Sequence, residues 1–162
     1  MEIGINVGPP SYVEIAIGDQ RGNELIMSLE TWKGLYEQRW NIQNYLWNRY
    51  MDTSNFVSVG PLMVRFSTIN DTKLVRLELS DVRLTMTEST LFSMFNLDRC
   101  IDLMFDRLTS ILERVDAKFI QFSNITSTVT EKKNVSNVIR ASDIFNKHQL
   151  VDCELLALVF FK

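Results

Sequence analysis

The chain has 162 residues, 46 % of them hydrophobic and 23 % charged, with a net charge of −3. That is enough for one globular domain, or two small fused ones, whose core needs no metal or disulfide staple. The acidic balance excludes a uniformly basic nucleic-acid binder, so any anion site must be a local patch.

Two cysteines, Cys100 and Cys153, and a single histidine, His148, are too few soft ligands for a zinc site, so no metal and no other cofactor is expected. Outside any CxxC pattern, both cysteines read as small buried hydrophobes in a reducing compartment. The start, Met-Glu-Ile-Gly-Ile-Asn, lacks the basic and apolar regions of a signal peptide, and no apolar run reaches membrane-spanning length. The expectation is an intracellular protein with no membrane partner, for which a nuclear address is compatible.

Along the chain, Ile-Asn-Val-Gly-Pro at 5–9 returns as Val-Ser-Val-Gly-Pro at 57–61. Each alternates and then stops at Gly-Pro, which predicts a strand entering a turn. Further strands are predicted over 12–17 and 24–28 in the first copy, and over 62–69, 74–79 and 82–85 in the second. Ser28 and Thr87 then follow as helix N-caps, because their hydroxyls can take an unpaired first-turn amide. Glu30 and Glu88 place negative charge where the helix dipole favours it.

The first helix is predicted from about Leu29 to about Tyr50. Trp32, Leu35, Tyr36, Ile42, Leu46 and Tyr50 form its core face. A second stripe, Trp40, Trp47 and Met51, is costly to leave in water and marks a dimer interface or a contact with the second helix. The second helix is predicted from about Glu88 to about Asp116, with a break at 96–98. Strands are predicted again over 118–123 and 155–161. Between them lies a long polar loop, 124–148, holding a short helix near 142–147. The layout is α+β: a strand-helix copy at 1–53, a second at 54–117, and C-terminal strands at 118–162, one of which completes a sheet.

The stretch Leu25-Ile-Met-Ser-Leu-Glu-Thr-Trp-Lys-Gly-Leu-Tyr-Glu-Gln38 resembles the helix entry of the transcriptional positive cofactor four family of single-stranded DNA binders. Two tandem copies, over roughly residues 3 to 116, are similar to the Whirly and Pur-alpha arrangements. The resemblance implies a pseudo-twofold pair of units that join through their helices and present their sheets to unstacked DNA or RNA.

The residues bear on that implication unevenly. In the second copy, alternation turns Arg65, Arg76 and Arg83 away from Val64, Phe66, Val75, Leu77, Val82 and Leu84, with Lys73 at the turn. These four cations suit phosphates, and Lys132 and Lys133 in the polar loop could close over a bound strand. Residues 56–87 carry four cations against Asp71, Glu78 and Asp81, a net of +1. Residues 1–28 carry Arg21 against Glu2, Glu14, Asp19 and Glu24, a net of −3, which departs from a basic binding sheet. Asp98, Asp102 and Asp106 read as a solvated helix face beside Arg99 and Arg107.

Enzyme chemistry finds no support: there is no phosphate loop, nucleophile elbow or HExxH. Two readings stand. One is a single-stranded nucleic-acid-binding protein of transcription or replication. The other is a structural or homo-oligomerising interaction module. A viral accessory or virion protein fits either.

Overall fold

A computed structural model describes residues 1–48 and 55–161. The chain is α+β. The first sheet is a meander of β1 (Glu2–Asn6), β2 (Tyr12–Gly18) and β3 (Glu24–Met27), in that order. The β2–β3 turn is held by Asp19, whose Oδ1 accepts from the amides of Arg21 at 2.8 Å and Asn23 at 2.9 Å. Ser28 then caps α1 (Leu29–Glu37), its Oγ accepting from Thr31 N at 3.1 Å. Instead of one helix continuing to Tyr50, the path bends at Gln38 (φ −81°, ψ 0°) and resumes as α2 (Arg39–Trp47). The bend lets Leu35 of α1 and Ile42 and Leu46 of α2 all bury fully. Tyr50 and Met51 lie outside the described residues, as does the expected boundary at 53–54.

The second sheet is β4 (Phe56–Val59), β5 (Leu62–Ile69), β6 (Thr72–Leu79) and β7 (Val82–Thr87), antiparallel and in sequence order. Its three hairpins all have two-residue turns. Asn70 and Asp71 both have positive φ, the I′ requirement. Gly60 (φ +54°) and Ser80 (φ +51°) supply positive φ at the first turn position only. Thr87 ends β7 and caps α3 (Glu88–Phe95), its Oγ1 accepting from Thr90 N at 3.3 Å. The expected break follows, and α4 (Asp98–Thr109) begins after it. A second break separates α4 from α5 (Leu112–Ser127). The order of sheet, helix, bend and helix thus recurs, with three strands the first time and four the second.

Alternation dictates what is buried. Val64, Phe66, Val75, Leu77 and Leu84 line the inner face of the second sheet, and Ile15, Ile17, Leu25 and Met27 that of the first. They share one core with Trp32, Leu35, Ile42, Leu46, Leu91, Phe95 and Ile101. Each such side chain contributes on the order of 1.5–3 kcal/mol of burial. Gly34 allows α1 to approach β4 closely: a Cβ there would stand 2.6 Å from Val59 Cγ1.

The chain divides into two compact units, Met1–Gly4 with Val13–Arg107, and Ile5–Tyr12 with Leu108–Lys162. The second unit corrects the C-terminal expectations. Lys118 to Ser123 is not a strand but part of α5. Leu155 to Phe161 is not a strand either: it holds the end of α7 (Leu150–Leu155) and a π-helical turn, Leu156–Phe160. No C-terminal strand completes a sheet among the described residues. The polar stretch is not one long loop: it holds the end of α5, a 3-10 turn, Lys132–Asn134, and α6 (Val135–Ala141), while 142–147, the place of the expected helix, forms turns and no helix. These helices meet around Val115, Phe122, Ile139, Leu155 and Leu156.

Within this unit Asp152 is fully buried, and its Oδ2 accepts from Lys118 Nζ at 3.0 Å and Asn146 N at 2.8 Å. Neither cysteine is a buried hydrophobe: Cys100 is exposed and Cys153 half-buried.

Candidate nucleic-acid interface

Arg65, Arg76 and Arg83 lie on β5, β6 and β7, at positions whose neighbours bury inward. The register sets Phe56, Arg65, Arg76 and Thr85 in one cross-strand row, and Ser58, Met63, Glu78 and Arg83 in the next. The three guanidiniums therefore converge on one carboxylate. Glu78 Oε2 is 3.3 Å from Arg65 Nε, and Glu78 Oε1 is 2.7 Å from Arg76 Nε and 3.9 Å from Arg83 Nε. Arg76 Nε is buried and, despite its short distance, makes no hydrogen bond of proper direction. Three cations against one anion leave a local excess of two positive charges. At the edge of the row, Arg65 stands 5.4 Å over the ring of Phe56, which is 47 % exposed. Phe56 was not singled out in the sequence; its signal is the alternation that pairs it with Arg65.

The other predicted cations are placed differently. Lys73 shares the inward parity of Val75 and Leu77, so it leaves the arginine face. Its Nζ donates to Leu46 O and lies 3.5 Å from Asn48 O, at the C-terminal end of α2, where a cation suits the helix dipole. Lys132 and Lys133 belong to the second compact unit and are exposed in the 3-10 turn. In the stripe of the first helix, Trp40 is 62 % and Trp47 66 % exposed. Neither is packed away against the second helix, although Trp47 Nε1 donates to Glu88 Oε1 at 3.2 Å.

Asp98 corrects the solvated-face reading. Its Oδ1 accepts from the buried Trp32 indole at 2.8 Å and from Lys33 at 2.8 Å, while Lys33 also reaches Asp102 at 2.7 Å. Partial burial pulls the Lys33 pKa down, but the hydrogen bonds and charges of Asp102 and Asp98 outweigh it and hold the ammonium above its ordinary value. The cluster ties α1 to the start of α4 and has no spare nucleophile or base.

Among the described residues, no group of His, Cys, Asp or Glu could hold a metal ion, and no helix is long and apolar enough to cross a membrane. Comparison of the chain with protein-family models, with curated proteins and with solved structures finds no match.

Proposed function

We propose that this chain binds single-stranded nucleic acid on the outer face of β4–β7, in transcription or replication, and catalyses no reaction. The observation that carries the reading is the convergence of Arg65, Arg76 and Arg83 on one open sheet face beside an exposed phenylalanine. Guanidiniums present several donors in a plane and suit phosphate oxygens, while an aromatic face accepts an unstacked base of any sequence. In this reading successive phosphates lie along Arg65, Arg76 and Arg83, and Phe56 stacks a base at the edge. Glu78 holds the arginines in place when the face is empty and competes with the phosphates when it is filled. The likeness to the positive cofactor four, Whirly and Pur-alpha units, with a pseudo-twofold between the copies and an intracellular address, belongs to the same proposal. The first copy is too acidic to share the phosphates.

The test is a titration of labelled oligo-dT and of duplex DNA at several salt concentrations, with R65A/R76A/R83A beside the wild type. Three phosphate contacts to a single strand give a log-log salt slope of about −2, or roughly a twentyfold loss between 50 and 200 mM salt. The triple variant should flatten that slope and weaken binding. A wild type that binds no oligonucleotide at tens of micromolar, or a triple variant that binds as well, would overturn the reading.

The second reading, an interaction module, is favoured by a separate observation, the exposure of Trp40 and Trp47.

A further inference from the structure

Helix α2 has two unlike sides. Ile42 and Leu46 are fully buried, while Trp40 and Trp47 project into solvent from the other side. Seven residues apart, the two indoles lie on one stripe with an axial separation of about 10 Å. Gln43 and Asn44 fall between them. The ends of the stripe differ in charge. At one end the Arg39 guanidinium sits 4.1 Å from the Tyr36 ring centroid and 5.3 Å from that of Trp40. At the other, Glu88 Oε1 accepts from the Trp47 indole. Beside Trp40 opens a cleft of about 580 Å³, whose walls include Tyr36, Gln43, Phe92 and Arg99.

We propose that this face is covered by α2 of a second copy of the chain, antiparallel, with the twofold axis passing between Gln43 and Asn44. Such an axis is isologous, so every contact occurs twice. Trp40 of each copy meets Trp47 of the other, and each Trp47 enters the cleft beside Trp40. Arg39 of each copy meets Glu88 of the other. The amides at the axis are self-complementary, since each offers both a donor and an acceptor. A parallel pairing would set Arg39 against Arg39 and Glu88 against Glu88, which charge disfavours.

The exposed parts of the two indoles supply roughly 200–320 Å² per copy, taking 150–250 Å² for a large aromatic side chain. A standard interface takes about 800 Å² per partner, so the rest must come from the cleft walls and the charged ends, and the dimer belongs to the weaker class. The proposal does not rest on the nucleic-acid reading. Helix α2 packs on the inner face of the second sheet, where Tyr45 stacks on Phe66 at 5.1 Å, while the arginines point outward.

Sedimentation velocity from about 1 to 200 µM should show a concentration-dependent shift from 18.8 kDa to twice that mass. W40E/W47E should remain monomeric throughout, with its melting temperature lowered only slightly, because both side chains are exposed and the one hydrogen bond lost, Trp47 to Glu88, is exposed too. R39E and E88R should each weaken the dimer about tenfold, and R39E/E88R together should restore it to within about threefold. In a C100S/C153S background, N44C should oxidise to a covalent dimer without altering either tryptophan. R65A/R76A/R83A should dimerise as the wild type does. A wild-type monomer at every concentration overturns the proposal and leaves the indoles to a different partner. A dimer indifferent to W40E/W47E places the interface elsewhere, and a charge exchange that restores nothing refutes the antiparallel arrangement.

Discussion

Replacing Glu78 by glutamine gives the sharpest test of the arginine face, because the change is isosteric and its expected sign is a gain. Glu78 lies within 4 Å of three guanidinium nitrogens, and only 17 % of its side chain is exposed. A phosphate bridging two of those arginines would stand roughly 7 Å from the carboxylate. At that distance two like charges repel by about 0.6 kcal/mol in water and about 2.4 kcal/mol at an effective dielectric of 20. The open face argues for the lower half of that range, so E78Q should bind oligo-dT about three- to tenfold more tightly. Stability should move the other way. The three cations lose their common counter-charge, and because all are partly exposed the cost should be about 1 kcal/mol. Fluorescence anisotropy at fixed low salt measures the first effect and urea unfolding the second. The gain should vanish in the R65A/R76A/R83A background, since without those donors no phosphate is held near residue 78 to be repelled. An E78Q protein that is folded and binds no more tightly than the wild type would refute the phosphate assignment.

G34A should destabilise the first unit by about 1–2 kcal/mol, because overpacking against Val59 outweighs the helix-propensity gain of up to about 1 kcal/mol. V59A should cancel most of that penalty, and tryptophan emission during urea unfolding reads the coupling; additive effects would contradict the close approach. The raised Lys33 pKa gives a stability contribution that is complete below the ordinary value of 10.5 and lost as pH climbs through the folded value. Wild type should therefore exceed K33M at neutral pH, with the margin shrinking as pH rises past 10.5 and through the raised folded value, and a gap that shows no such decline would count against the cluster. D152A should cost about 3–5 kcal/mol by leaving Lys118 without its buried partner, seen as an early loss of helical ellipticity on heating. A variant that melts as the wild type does would show that the pair is dispensable.

Much of the first unit was legible because short-range rules agree there. Ser28 and Thr87 occupy cap positions that need a hydroxyl, and strict alternation along 62–69 and 74–79 identifies both the buried face and the arginine face. Lys73 defeated the same reasoning only in its direction, since its parity places it with Val75 while its position near the turn suggested solvent. The second unit was illegible for a different reason. A short apolar run such as Leu155 to Phe161 has neither a clean period of two nor one of 3.6, and length alone does not separate a buried strand from a helical turn. Tertiary packing decided it: the segment sets Leu155, Leu156 and Phe160 against Phe122, with rings 5.7 Å apart for the last pair. The bend at Gln38 had no proline or glycine of its own to announce it, and the partnership of Asp98 with Trp32 spans 66 residues, beyond any local pattern.

The second unit borrows Ile5–Tyr12 from near the beginning of the chain, where the amide of Ser11 donates to Asp116 Oδ1 at 3.2 Å. Neither unit is therefore a contiguous stretch of polypeptide. A fragment starting at residue 13 would strip the helical half of Ile5–Tyr12, and one ending at residue 107 would strand that piece without its helices. During synthesis the same weave postpones completion of the helical half until residues beyond Leu108 emerge to meet a segment made about a hundred residues before them. Dissection by truncation at either of those points will consequently mislead, because each cut removes a piece that one unit draws from a distant part of the sequence.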